Sequence, residues 1–567
     1  MSFQDALAQF QRGDGAGAER TLGALLVREP KHGQALQLLA AVRHGRGDLS
    51  GALEALDRAA ALAPDDAGLA FNRAAMLSAL SRHKDCLVAI AIVLRTAPRD
   101  AEALFLQGVS QSALGDHAAA LASFDAARLD RADAHAHRAG SLNALERFAE
   151  ALVAADLALA RDLQNPDAHY QRGVALMGSE RAAEALAAFD AALLRRADIA
   201  IRAARANALA SLGRLDEALA EVDAALVHAP EKADYLLRRA YVLNAMGRCD
   251  EAAAAYDRVL EQRPDDVDAA YGKADALLSL GDFEQGLEFY EARLRLKSAK
   301  PMARSSAPLW RGEDLNGKTI LLLAEQGFGD LFQFCRFAPV LAARGARVVI
   351  QERPSTLAVL RSLRGVDKVV STQAPSPAAD FHVPIAGLMR VLGVRADSIP
   401  APIPYLRAMP ERVAAWRERL PVSSRRRVGI AWSGITLHAA QAQRSLDEPA
   451  LRQLTSADAD FVSLQLEPSA VLSAAGIPQF GEDLRDFADL AALIETLDLV
   501  ISIDTGVAHL AGALGKPVWI MLPHRADWRW MRTREDTPWY PQARLFRQSA
   551  RGDWAGVIAR VHAALQE

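Results

Sequence analysis

One spacing governs the first half of this chain. Small residues recur at Ala18, Ala52, Cys86, Ala120, Ala151, Ala185, Ala218, Ala252 and Gly286, in steps of 34, 34, 34, 31, 34, 33, 34 and 34. Five positions before each lies a turn residue: Gly13, Gly47, Ser81, Gly115, Glu146, Glu180, Gly213, Gly247 and Gly281. A fixed period of this length marks stacked supersecondary units, none of which can bury its apolar face alone. Glycine at most of the turns can end a helix in the left-handed conformation. Prolines at 30, 64, 98, 230 and 264 stop the second helix, because proline lacks a donor and disfavours a helical residue before it. The pattern predicts an α-helical solenoid of about nine helix–turn–helix units over residues 1–298, with the small residues where successive helices approach closely.

The stretches GRLDEALAEVDAALVHAP (residues 213–230) and GRCDEAAAAYDRVLEQRP (residues 247–264) resemble the tetratricopeptide repeat family. The resemblance implies a concave groove that takes a polypeptide partner; the alternative is an array that only spaces or dimerises the protein. The O-linked N-acetylglucosamine transferases also join such repeats to a glycosyltransferase and carry an asparagine ladder in the groove. Here the corresponding positions read Gln4, Leu38, Asn72, Leu106, His137, Gln171, Ala204, Arg238 and Gly272, so that ladder is absent.

With 66 Lys and Arg against 70 Asp and Glu in 567 residues, the net charge of -4 supplies no broad positive field, and nucleic acid is not an expected partner. Cys86, Cys249 and Cys335 are odd in number and far apart, which fits neither a disulfide framework nor a four-ligand zinc site. The first residues, MSFQDALAQFQRG, lack the basic start and apolar run of a secretory signal. The most apolar later stretch, 497–522, is interrupted by Asp498, Asp504, His509 and Lys516, so no transmembrane segment is expected. These features together predict a cytoplasmic location.

After Leu296 the period fails. Residues 299–318, with prolines at 301 and 308, read as a linker. TILLLA (319–324), a Gly-rich turn, an amphipathic stretch over 331–344 and RVVIQ (347–351) then read as strand, turn, helix, strand. A second set comprises VGIAW (428–432), FVSLQL (461–466), LVISI (499–503) and VWIML (518–522). Buried strands alternating with helices predict parallel sheets covered on both faces. We expect an α/β domain of two Rossmann-like lobes, 319–400 and 410–567, with the proline-rich stretch 399–410 as hinge, a helix over 554–567 closing the domain, and a binding cleft between the lobes.

Two strand-to-helix turns could carry chemistry. Gly327-Phe328-Gly329 permits a tight turn that places Asp330 at a helix start facing the cleft; on spacing alone Asp330 is an N-cap worth about 1 kcal/mol. At Asp504-Thr505-Gly506 a strand ends and a helix starts, and free N–H groups there suit an anion such as a diphosphate. His509 lies on the same early face. Alternatively Asp504 and Thr505 are caps and His509 is a buried core histidine. The run 524–530 could stack on a base or a sugar, or form a tryptophan core.

The Gly-x-Gly-Asp turn at 327–330, the run Ser502-Ile503-Asp504-Thr505-Gly506-Val507-Ala508-His509 and the closing Gly515-Lys516-Pro517 together resemble glycosyltransferase family 9, the heptosyltransferases, which have the two-lobed GT-B fold. The likeness covers roughly residues 320–564. It is closest to repeat-fused members, which share Asp527-Trp528-Arg529-Trp530 and Pro538-Trp539-Tyr540-Pro541. The resemblance implies a nucleotide-sugar substrate, transfer to a hydroxyl of a protein or glycan acceptor with inversion, and Asp330 as general base. Thr505, Gly506 and His509 would hold the leaving diphosphate, with Asp504, Gly327, Gly329, Arg444 and Ser445 completing the donor site and no metal or other cofactor required. Asp458-Ala459-Asp460 spells a metal-binding D-x-D but falls in a loop before a strand, and is set aside. Related repeat-fused members read approximately W-[AS]-G-N-P-x-H-x-N-D-R-x-R-S where this chain reads WSGITLHAAQAQRS (432–445). His438, Arg444 and Ser445 are kept, whereas Ile435, Thr436, Ala440, Gln441 and Ala442 replace polar groups. That departure motivates an alternative function, a noncatalytic repeat scaffold or regulator with a degenerate transferase fold.

Overall fold

The computed structural model describes residues 2–299, 302, 305–325, 327–399, 403–434 and 444–567. The chain divides into two compact units, Met1–His228 and Ala229–Glu567.

The first unit is seven helix pairs, from Phe3–Gln11 with Gly15–Arg28 to Ile199–Ser211 with Leu215–His228. Aspartates at 14, 48, 66, 100 and 116 cap helix starts by accepting from backbone N–H groups three residues on, each worth about 1 kcal/mol. The left-handed turn is present at every turn position of the repeat, glycine or not: φ is +82° at Gly13 and +59° at Ser81, Glu146 and Glu180. The small residues at the repeated position, from Ala18 to Ala252, are fully buried, as the close approach of helices requires. The single short step of 31 has a local cause: the helix His117–Ala127 has 11 residues where most of its counterparts have 14, and Arg128 ends it at φ +52°.

The second unit opens with two more pairs, Ala233–Met246 with Cys249–Gln262 and Val267–Leu280 with Phe283–Tyr290, followed by a 3-10 turn, Glu291–Arg295. Two parallel sheets follow. In the first, β1 (Thr319–Leu323), β2 (Arg347–Glu352), β3 (Lys368–Ser371) and β4 (Phe381–Pro384) lie in the order β3-β2-β1-β4. In the second, β5 (Arg427–Ala431), β6 (Asp460–Ser463), β7 (Leu499–Ile503), β8 (Val518–Leu522) and β9 (Ala543–Arg547) lie in the order β6-β5-β7-β8-β9. Strands β7 and β8 are buried at every residue, which is why they read as unbroken apolar runs.

Three local features differ from the expectation. The stretch read as one amphipathic helix is broken into Phe328–Phe334, a 3-10 turn Cys335–Phe337 and Ala338–Ala343, with Pro339 at the start of the last. Residues read as a linker pack on the first sheet: Trp310 and Leu315 are buried, and Leu309 bridges His382 beside β4. In the proline-rich stretch, 400–402 lie outside the described residues, while Tyr405 and Leu406 donate their N–H groups to Ala513 O and Tyr405 is buried. One apolar core runs from the last repeat (Leu278, Phe283, Tyr290) through the first lobe (Ile320, Phe332, Val348) to the second (Leu510, Trp528, Trp539).

Candidate functional site

Both candidate turns sit where a parallel strand ends and a helix begins, the position at which α/β sheets bind ligands. The helix Phe328–Phe334 follows β1, and the helix Gly506–Ala513 follows β7. The two N-termini come together. A Cβ on Gly329 would lie 2.7 Å from His509 Cδ2, and one on Gly506 would lie 3.3 Å from Phe328 Cβ. Glycine at both positions is therefore what lets the two turns meet.

His509 is 3 % exposed and held on three sides. Its ring stacks on Trp530 at 5.2 Å between centroids, its Nδ1 shares a hydrogen bond of 2.9 Å with the Tyr540 hydroxyl, and its Nε2 faces Asp504 Oδ1 at 3.7 Å. Burial opposes the charge of Asp504, but His509 and Arg444 outweigh it and hold its carboxyl below the usual carboxylate range. Arg444 Nη1 is 3.5 Å from Asp504 Oδ2. The Thr505 hydroxyl lies 3.1 Å from that of Ser502 rather than capping its own helix. The first N–H groups of Gly506–Ala513 are those a helix leaves without an intrahelical acceptor. The Ser445 hydroxyl is buried and has no hydrogen-bond partner among the described residues. Six site positions, Gly329, Arg444, Asp504, Thr505, Gly506 and His509, thus gather around one junction.

Asp330 is bound at both carboxylate oxygens. Asp330 is the third residue of its helix rather than the N-cap, which is Gly327: Gly327 donates its N–H back to Oδ2 at 2.9 Å, and Arg529 donates to Oδ1. Arg529 was legible only as part of the Asp527–Trp530 run. It is buried, and it also donates to Gln333 Oε1 at 2.7 Å and Asp527 Oδ1 at 2.7 Å, with Tyr290 Oη at 3.5 Å. Burial works against its charge, but Asp527 and Asp330 more than compensate and keep the guanidinium charged. Trp528 and Trp530 of the same run are each 1 % exposed: they form core, with Trp528 edge-on to Phe283 and Tyr290.

A second buried pair underlies the Asp330 turn. Glu325 accepts from Arg293 Nε at 2.8 Å, from Arg293 Nη2 at 3.0 Å and from Ala386 N–H at 2.7 Å. Burial pushes the Glu325 carboxyl up against the pull of Arg293. No local sequence signal announced this pair, because its members are 32 residues apart and belong to different folds.

The substituted residues Ile435, Thr436, Ala440, Gln441 and Ala442, with His438, lie outside the described residues. Asp458 pairs with Arg425 at 3.2 Å on the surface. Among the described residues no group of three or more His, Cys, Asp or Glu is placed to hold a metal ion, and no helix is long and apolar enough to cross a membrane.

A tetratricopeptide repeat family model matches residues 3–67, 78–137 and 237–301, and the glycosyltransferase family 9 (heptosyltransferase) model matches 485–522, from ahead of β7 to the end of β8. Protein FlbA of Caulobacter vibrioides is 30% identical over 321 residues, covering 50% of this chain and 52% of that protein, so the chain spans about half the length of the curated relative it matches. Among solved structures, the APC/C hetero-tetramer Cut9-Hcn1 is similar at 17% identity over 48% of this chain and 54% of that chain, TM-score 0.39. A thermophilic tetratricopeptide repeat protein of Thermus thermophilus is similar at 27% identity over 31% of this chain and 98% of that chain, TM-score 0.28. The chain thus carries tetratricopeptide repeats and, in the lobe that holds Asp504 and His509, a segment that matches the glycosyltransferase family 9 model.

Proposed function

We propose that the chain is a glycosyltransferase that moves a sugar from a nucleotide-sugar donor to an acceptor hydroxyl with inversion, and that the repeats recruit a protein or glycan acceptor or a polypeptide partner. The observation that supports this most is the meeting of two strand-to-helix turns at Gly329, Gly506 and His509. The helix N-terminus at Thr505 and Gly506, with His509 and Arg444, would take the leaving diphosphate. Gly327 and Gly329 shape the opposing turn, Ser445 offers a hydroxyl with no partner among the described residues, and Asp330 would take the acceptor's proton. This scheme routes no step through a metal.

One observation favours a second reading, a noncatalytic scaffold or regulator: both oxygens of Asp330 are already engaged, one by Gly327 and one by Arg529. Thermal unfolding against a panel of nucleotide-sugars and free nucleoside diphosphates separates the readings. A shift of several degrees, lost in Thr505→Ala with His509→Ala, is the expected result. Diphosphate release abolished by Asp330→Ala then supports the transferase; binding without release supports the scaffold. No shift at millimolar ligand would sink the nucleotide site itself.

A further inference from the structure

Asp330 is fastened from two directions, and both lead to the last two repeats. Its own turn begins at Glu325, which the buried Arg293 of the terminal 3-10 turn grips through two hydrogen bonds. Its ion-pair partner Arg529 lies on a segment fixed to the same repeats. Arg525 donates to Asp275 at 2.6 Å, Asn244 donates to the same Asp275 oxygen at 2.8 Å, and Trp528 packs on Phe283 and Tyr290. Asn244 and Asp275 belong to the first helices of consecutive repeats, Ala233–Met246 and Val267–Leu280. The contact of Arg529 with Asp330 is therefore not a flexible surface pair: both side chains are largely buried, at 7% and 15% exposure, and side chains near each in sequence are gripped by repeat residues.

We propose that Arg529 is a positioning residue that fixes the orientation of Asp330, and that the last two repeats are its foundation, so that the array contributes to the transfer step as well as to recruitment. A guanidinium fork presents its donors in a fixed plane, so it can set one carboxylate rotamer in a way an ammonium cannot. This inference rests on the reading of Asp330 as the base.

The test uses the full chain and the nucleotide-sugar that stabilises it most. Arg529→Gln should leave nucleoside diphosphate affinity and KM within about threefold while kcat falls at least tenfold. Arg529→Lys, which restores charge but not the fork, should recover part of that loss. Asp275→Ala, remote from the reacting groups, should lower kcat about threefold or more with KM unchanged. Wild-type kcat in either Arg529→Gln or Asp275→Ala overturns the proposal, as does a parallel loss of diphosphate binding and turnover, which would mean only damaged folding. Should the wild type turn over no donor, the reading of the site fails separately. The cycle Asp330→Asn, Arg529→Gln and both then decides the positioning claim: losses of thermal stability that simply add overturn it, and losses that overlap by several degrees uphold it.

Discussion

In the Gly327-Phe328-Gly329 turn only the second glycine is required for space, and this separates two substitutions that look alike in sequence. At Gly329 an added Cβ would sit 2.7 Å from His509 Cδ2, inside the ordinary carbon–carbon contact of about 3.5–4.0 Å. His509 cannot swing aside, because Trp530 covers its face and Tyr540 holds its Nδ1. Overpacking of this kind costs roughly 1–3 kcal/mol. Alanine also removes a glycine from a helix, which returns up to about 1 kcal/mol. The net expectation for Gly329→Ala is a loss of about 1–2 kcal/mol in the C-terminal unit, or a fall of roughly 2–8 °C in its thermal transition. At Gly327 the nearest atom to an added Cβ is Asp330 Oδ2 at 3.6 Å, and φ is -83°, so Gly327→Ala loses only glycine's advantage over alanine at an N-cap, about 0.5 kcal/mol, and should unfold within about 2 °C of wild type. Calorimetry of both variants gives the comparison. Equal destabilisation by the two, or a Gly329→Ala protein as stable as wild type, would falsify the claim that the two helix N-termini meet at His509.

Three further outcomes follow from individual residues. Ser81→Gly should stabilise the N-terminal unit by about 0.5–1 kcal/mol in urea unfolding, because serine there is exposed and held at φ +59°, where glycine pays no Cβ penalty. Arg293→Met should destabilise the C-terminal unit by about 3–5 kcal/mol by leaving the buried Glu325 without its partner, and adding Glu325→Gln should recover part of the loss; an additive double variant would contradict the pairing. Asp504 has a folded-state pKa depressed below its unfolded value, so its contribution is present above the unfolded value near pH 4 and is lost as pH falls through the folded one. Asp504→Asn should therefore flatten the loss of stability between about pH 4 and pH 2, and an unchanged slope in acid unfolding would refute that linkage.

The array was legible because its signals are local and repeated. A left-handed turn and a buried small residue recurring at steps of 31 to 34 positions leave a mark even where Ser81, Glu146 and Glu180 replace glycine. Strands β1, β2, β7 and β8 were legible as apolar runs, since both faces of each are covered. Strands β3, β4 and β9 were not. All three end their sheets; β3 and β9 carry charged residues, as in Lys368 and Arg544, and β4 is only four residues long and ends in Pro384. The two turns of the site could be placed from strand-to-helix spacing. Arg529, Glu325 and Arg293 could not be assigned, because a partner 199 residues away, as for Arg529 and Asp330, leaves no periodicity to read.

The engagement of both Asp330 oxygens, which favours a scaffold, still leaves room for a base. An ionised carboxylate has about four lone-pair sites, and the bonds from Gly327 and Arg529 occupy two of them. An acceptor hydroxyl needs one more. The side chain keeps 15% of its surface exposed, and the Arg529 bond fixes which part of it faces outward. A clamp of this kind removes the entropy of finding the productive rotamer, and well-oriented proton transfer depends on that geometry.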